Sequence, residues 1–234
     1  MKNRVRYDFP SRNATSGAGK SSPTLPSCRV EKSSLNLFFC AAAVALLAAC
    51  SAITRPATVR QTFLIEPPPL SAVAQSQPGT LRVGNMSVSA SFRGKSFVFR
   101  IDELRFETDF YDEFLVPPAS MLTEQTARAL AGARPFTRIA GPGVTTDADF
   151  VLDGFVSALY ADVRQAGTPA AELAITYYLT TGGERTPIWW HEYRRHAPMR
   201  DASPVAYVEA LNAAFAEIVG ELARDLAGVK LPAS

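Results

Sequence analysis

Apolar and polar residues alternate over several short stretches of the chain, which is typical of strands that bury one face. The alternation is cleanest at residues 172–180, where Leu173, Ile175, Tyr177 and Leu179 share one side. We therefore predict a sheet of about six or seven strands. The stretches with this pattern are residues 61–66, 81–90, 96–101, 104–110, 149–164, 172–180 and 186–197.

The last three predicted strands form the most regular block and are joined by short connections. Gly182 and Gly183 provide a tight turn between the second and the third, so we expect an antiparallel meander and a mostly antiparallel sheet. The face of the first strand that would be buried carries Phe150, Leu152, Val156, Ala158 and Tyr160.

Two segments have the period of a helix. Residues 118–132 begin with a proline, which suits the first turn, and Gly132 or Pro135 would end them. Ser203 and Pro204 provide a cap and a first turn for a longer helix, which ends at Gly228. Its apolar stripe consists of Val205, Val208, Leu211, Phe215, Ile218, Leu222 and Leu226.

The order of these elements predicts one α+β domain over residues 61–228, with the helices on one face of the sheet and a tail at 229–234. Residues 71–80 are polar and small, and we expect a flexible loop there.

An apolar run of 15 residues, 35–49, precedes the domain. A membrane-spanning helix needs roughly 20 apolar residues, so the run is short for a span and has the length of a signal-peptide core. Arg29 and Lys32 precede it, as expected for a signal peptide. The alternatives are an ordinary signal peptide cut nearby and a buried alanine-rich helix.

The end of the run, Leu47-Ala48-Ala49-Cys50, resembles the lipobox of bacterial lipoproteins. The resemblance implies a diacylated Cys50 thiol, cleavage between Ala49 and Cys50, and acylation of the new amine. Ser51 follows the cysteine, which by analogy with Gram-negative sorting favours the outer over the inner membrane. Residues 1–49 would then be a cleaved leader and signal peptide, and residues 50–60 a lipidated tether.

Charge and cysteine content exclude two classes of function. The formal charge of +2 arises in residues 1–49, which carry +5, so the rest of the chain carries −3. That leaves no basic surface for nucleic acid. Because no cysteine follows Cys50, the domain has neither a disulfide framework nor a thiolate metal site.

Catalytic motifs are also missing from the sequence. His191 and His196 are five residues apart, whereas a zinc protease needs them four apart on one helix. In a strand they would point to opposite faces. There is no nucleophile elbow, phosphate-binding loop or dinucleotide motif. We therefore expect no enzyme, no catalytic residue, no metal and no cofactor.

An acidic segment at residues 102–113 could suggest paired carboxylates or calcium, but it lacks the spacing of a calcium loop. Its acidic residues alternate with Leu104, Phe106, Phe110 and Phe114, which fits the solvent face of strands.

Aromatic residues are concentrated on the last two predicted strands. Because neighbours in a strand face opposite ways, one of Trp189 and Trp190 is expected in the core and the other on the surface. We take Trp189, Trp190 and Tyr178 as candidate partner contacts. The alternative is an ordinary core covered by the C-terminal helix.

The order of these features resembles the ABC-type transport auxiliary lipoproteins, the family that includes PqiC and is found with MCE-protein lipid transporters. Family members often have a tryptophan before the first helix, where this chain has Phe114 beside Tyr111. The segments that carry the resemblance are Leu47–Cys50, Thr62-Phe63-Leu64, Leu81–Val88, Phe99–Phe106, Phe114–Pro118, Asp149–Val163, Ile188–Tyr193 and the final helix.

The resemblance implies a non-catalytic lipoprotein on the periplasmic side of the outer membrane. Its partners would be an MCE-domain protein and an ABC permease and ATPase complex, in the transport of lipids or hydrophobic solutes. Such a lipoprotein could also form a homo-oligomer. The alternative is a structural or envelope-integrity lipoprotein unrelated to transport, which would share every feature above.

Overall fold

Eight strands and two helices follow one another in the computed structural model, which describes residues 60–144, 147–165, 167–183 and 186–232. The predicted leader, Ala49, Cys50 and the tether up to residue 59 lie outside the described residues. The strands are β1 (Gln61–Phe63), β2 (Gln77–Val88), β3 (Ser96–Arg100), β4 (Phe106–Phe114), β5 (Phe136–Ala140), β6 (Phe150–Asp162), β7 (Ala170–Thr181) and β8 (Pro187–Pro198). The helices are α1 (Pro118–Ala133) and α2 (Pro204–Gly228).

The long strand β6 connects the two halves of the sheet. One of its edges pairs antiparallel with β7, which in turn pairs antiparallel with β8. Its other edge is shared, because β2 pairs in parallel with the first half and β3 with the last two residues. Beyond these, β5 lies parallel to β2, β4 antiparallel to β3, and β1 parallel to β4.

The predicted α+β class is confirmed, and so is the meander of β6, β7 and β8. The sheet itself is mixed and not mostly antiparallel, since four of the pairings named above are parallel. Parallel pairing requires a crossover between strands. Here β3, β4, α1 and β5 lie in sequence between β2 and β6, so the chain returns to the same end of the sheet before β6 begins.

Strand β5 was not predicted, and it brings the described strands to eight. It is only five residues long and starts directly after Pro135, so its sequence has no clear alternation. It forms because β2 begins at Gln77, inside the segment predicted to be a loop, and offers an edge to pair with. The backbone of β2 is irregular there, at Gly79 with φ of 99°.

The buried face of β6 differs from the predicted one, because the strand contains a bulge. The pairing with β7 shifts between Val156 and Ala158, so the side that faces the helices changes at this point. Leu159 and Ala161 therefore join the core, while Tyr160 lies on the other side of the sheet. Strict alternation had placed Ala158 and Tyr160 on the core side.

Both helices pack on the same face of the sheet, as predicted. On α1, Thr126 hydrogen-bonds through its hydroxyl to Tyr177 of β7, with 3.0 Å between the oxygens. Tyr193 of β8 lies on the same face and donates to Asp225 of α2 at 2.6 Å. Burial raises the pKa of both tyrosines, so both phenols remain protonated at neutral pH.

Local chemistry sets the ends of the two helices. Arg134 adopts a left-handed conformation after α1, with its N–H bonded to the carbonyl of Leu130, so the helix stops before Pro135. The Ser203 hydroxyl caps α2 by accepting the N–H of Ala206 at 3.2 Å. The predicted stripe of α2 is buried from Val208 to Leu226, whereas Val205 is 43% exposed.

In the part of the chain that the structure describes, no helix is both long and apolar enough to cross a bilayer.

We predict that Gly182→Ala destabilises the protein by about 1–3 kcal/mol, the usual cost of an overpacked site. A Cβ at position 182 would lie 2.0 Å from the backbone oxygen of Ala148, and the backbone cannot move easily because Gly182 donates to the carbonyl of Asp149. Urea unfolding measures the change. Gly183→Ala is the matched control, because its Cβ would meet nothing within 4 Å; equal losses in both variants would contradict the prediction.

Candidate interaction surface

Strands β7 and β8 lie side by side in the sheet, and their two faces have different surroundings. On β8, Tyr193 bonds to α2, and Arg195 forms ion pairs with Glu217 and Glu221 of the same helix. From Trp189 onward, odd-numbered residues of this strand therefore face the helices, and even-numbered residues face away. We call the side away from the helices the open face.

Trp189 lies on the helix side, partly buried against the hydrophobic core. Its ring is stacked near His191, with 6.3 Å between the ring centroids, and His191 in turn meets the ring of Tyr193 at 4.6 Å. Of the three aromatic candidates, Trp189 is therefore mainly a structural residue.

Trp190 lies on the open face and is 64% exposed. Tyr178, the second candidate on this face, is its direct neighbour on β7 in the antiparallel register. Phe155 of β6 points the same way and is 38% exposed. The structure thus brings Trp190 and Tyr178 together in one surface, which we call the aromatic open face, and separates Trp189 from them.

Charged residues border the aromatic open face. Glu192 and Arg194 form an ion pair of 3.0 Å, and His196 is in close contact with the carboxylate of Glu172. Exposed tryptophan and tyrosine rings are enriched in protein–protein interfaces, and the rims of such interfaces are polar.

The two histidines do not form a metal site with each other. His191 faces α2 and His196 faces away from it, as the strand alternation predicted. Among residues 60–232 as described, no three or more potential ligands of the His, Cys, Asp and Glu types are grouped so that they could hold an ion.

A polar cleft at the start of β6 carries two carboxylates, Asp147 and Asp149, beside Arg82. Asp149 has a structural role, since it accepts the backbone N–H of Thr80 at 2.7 Å. The cleft is open to solvent, and the Gly182 turn forms one of its walls.

A second exposed apolar surface lies on β4 and on the turn before it, and was missed by sequence reasoning. Period-two alternation placed Leu104, Phe106 and Phe110 on the buried side of a strand. In the structure they are 94%, 46% and 78% exposed. Tyr111 is 47% exposed, and its ring lies 5.7 Å from that of Phe110. Acidic residues flank these apolar residues along the sequence, which is unusual for a strand in the core. This was the sequence signal of their exposure.

The backbone of β4 explains this exposure. Between the pairs Ser96–Glu113 and Val98–Thr108, the four residues 109–112 lie opposite the single residue Phe97. The extra residues bulge out of the sheet, and the Asp109 carboxylate holds them by accepting the N–H groups of Tyr111 and Asp112 at 2.7 and 2.9 Å. Partial burial, together with the negative charge of Asp109, raises the pKa of Asp112. We call residues 109–112 the aromatic bulge.

The fold belongs to the class of small α+β domains in which two helices cover one face of a mixed sheet. Protein XCC0632 from Xanthomonas campestris, described with the family designation DUF330, is similar with a TM-score of 0.61 and 16% identity, over 69% of this chain and 92% of that one. A second solved structure, of an uncharacterized protein, has a TM-score of 0.56 and 13% identity, over 71% and 98% of the two chains. These likenesses show a shared fold.

Lipoprotein GNA1162 from Neisseria meningitidis covers 63% of this chain and 99% of its own, but its TM-score of 0.36 at 10% identity is too low to define a common fold. No protein-family model matches the sequence, and no curated protein does.

We predict that the neighbouring tryptophans differ in their effect on stability. Trp189→Ala should cost about 1–3 kcal/mol, less than the ~3–5 kcal/mol of a fully buried tryptophan. Trp190→Ala should cost less than about 1 kcal/mol, the upper range for a cross-strand pair such as that with Tyr178. Urea unfolding followed by circular dichroism compares them, and a larger loss for Trp190→Ala would show that the open face is not a free surface.

Proposed function

We propose that this chain is a lipid-anchored, non-catalytic accessory component of an ABC/MCE-type transport system for lipids or hydrophobic solutes. It is held at the periplasmic side of the outer membrane by acylated Cys50. The observation that carries the proposal is the tetrapeptide Leu47-Ala48-Ala49-Cys50 at the end of a signal-length apolar run.

Two acyl chains or more give stable attachment where one chain is marginal, so a diacylated thiol is sufficient as an anchor. Two further points support this role: the fold is shared with a DUF330 protein, and the order of features in the sequence resembles that of the transport auxiliary lipoproteins. The domain would then act by contact with partners.

The aromatic open face is the part of the domain that we assign to the MCE-domain partner. Trp190 offers a large ring that costs little conformational entropy to bury, and Tyr178 lies beside it on the next strand. The paired charges of Glu192 and Arg194 would form the polar rim.

The positions of the two histidines support the proposed non-catalytic role. His191 is engaged with the rings of Trp189 and Tyr193, and His196 lies on the opposite face against Glu172.

We predict that cells expressing the full chain incorporate alkyne-labelled palmitate into it, and that Cys50→Ser abolishes the label. The mature chain should begin at Cys50, which mass spectrometry of the purified protein tests. Cys40→Ser is the matched control, since this cysteine lies in the same apolar run but outside the tetrapeptide. Loss of label with Cys40→Ser, or label that persists with Cys50→Ser, would contradict the anchor.

We predict that a photo-reactive amino acid in place of Trp190 crosslinks the chain to an MCE-domain protein in the envelope. The same probe in place of Val205, an exposed residue at the start of α2, serves as the control. Identification of the MCE protein at position 190 alone supports the transport role. Purification of a crosslinked chain with no MCE protein from either position would favour the alternative, an envelope-integrity lipoprotein.

A further inference from the structure

We propose that the aromatic bulge docks the domain onto the zwitterionic lipid surface in which Cys50 is anchored. This inference rests on the lipid anchor of the proposed function and adds the side of the domain that faces the bilayer. The contacting residues are Phe110 and Tyr111.

The exposure of these two rings is high for a folded domain. Phe110 is 78% exposed and Tyr111 47%, although both are large aromatic residues that would be stable in a core. Tyrosine rings concentrate at membrane interfaces, where an apolar body meets acyl chains and a polar tip meets headgroups. The phenol of Tyr111 has this amphipathic character.

The bulge is held in its projecting shape by its own hydrogen bonds. Asp109 accepts two successive backbone N–H groups, and the sheet anchors both ends through the Glu113 and Thr108 pairings. The rings are therefore presented outward by the backbone and are not left exposed by a loose chain end.

The point where the tether enters the domain lies beside the bulge. Gln61 of β1 pairs with Asp112, and the Arg60 guanidinium lies 3.9 Å from the carboxylate of Glu113. Nine residues, 51–59, lie between Cys50 and Arg60, so the entry point is at most roughly 35 Å from the anchored sulfur, even if the segment is fully extended. The tether therefore holds the β1–β4 edge within this distance of the anchored sulfur.

The rest of this edge continues the apolar surface. Leu64, Leu115 and Val116 are 39%, 48% and 37% exposed, and the N–H of Leu115 is bonded to the carbonyl of Phe63 at 2.9 Å. Acidic residues on the same strand, such as Glu107, would repel anionic headgroups. We therefore assign the surface to zwitterionic lipid.

The backbone of the bulge argues against a second copy or a partner strand as the occupant. Strand addition needs free N–H groups along the edge. Two of these groups, on Tyr111 and Asp112, already donate to Asp109. A bilayer needs no backbone pairing, and contact through β4 leaves Trp190 on the opposite edge of the sheet accessible to a partner.

The test places p-benzoyl-phenylalanine at Phe110 or at Trp190 in the full chain, expressed in cells and labelled with alkyne palmitate. Both side chains are exposed, so neither probe should unfold the domain. The processed protein is purified, inserted into phosphatidylethanolamine and phosphatidylcholine vesicles, irradiated and analysed for lipid adducts by mass spectrometry. We expect a several-fold higher yield of lipid adducts at Phe110 than at Trp190.

A second variant, Tyr111→Ser with the probe at Phe110, should lower the yield because the neighbouring ring no longer contacts the interface. Palmitate on Cys50 with equal adduct yields at both positions would overturn this inference and leave the anchor intact. An excess at Trp190 would show that the open face lies on the bilayer and would overturn it too. Absence of palmitate from Cys50 would overturn the proposed anchor, and the docking inference with it.

Discussion

The pairing of β6 on both edges is the constraint on which the rest of the structure depends. One edge bonds to β7 along nearly its whole length, and the other is divided between β2 and β3. A strand shared in this way must be long, and the bulge after Val156 lies between the part that pairs with β2 and the part that pairs with β3. Without β6, the part of the sheet formed by β1, β4 and β3 would not be connected to the part formed by β2 and β5.

The two faces of this sheet have different surroundings because the helices cover only one. Tyr177 and Tyr193 keep their phenols on the covered face by bonding to Thr126 and Asp225, which satisfies polar groups that burial would otherwise penalise. The open face receives Trp190 and Tyr178 instead. Two exposed aromatic surfaces result, on β8 and on β4, at opposite edges of one sheet. A lipid-anchored accessory protein needs such a separation if it is to contact a bilayer and a partner together.

Much of the fold was predictable from residue patterns, and the failures have local physical causes. Leu173, Ile175, Tyr177 and Leu179 are buried as their period of two indicates, because β7 is regular and lies between two strands. The pattern failed at Tyr160, since a bulge reverses the faces, and at Phe110, since four residues of β4 lie opposite one of β3. Periodicity counts residues and cannot detect an insertion in one strand relative to its partner.

The sequence by itself determined the α+β class, the antiparallel meander, the helix ends at Ser203 and Pro135, and the tetrapeptide that predicts an anchor at Cys50. These depend on local dihedral preferences, capping and short-range alternation. Only the tertiary structure decided which strands run in parallel, which tryptophan is exposed and where the aromatic bulge projects. Those outcomes depend on contacts between residues far apart in the chain, such as Gln61 with Asp112 and Leu81 with Phe150, for which no nearby residue provides a signal.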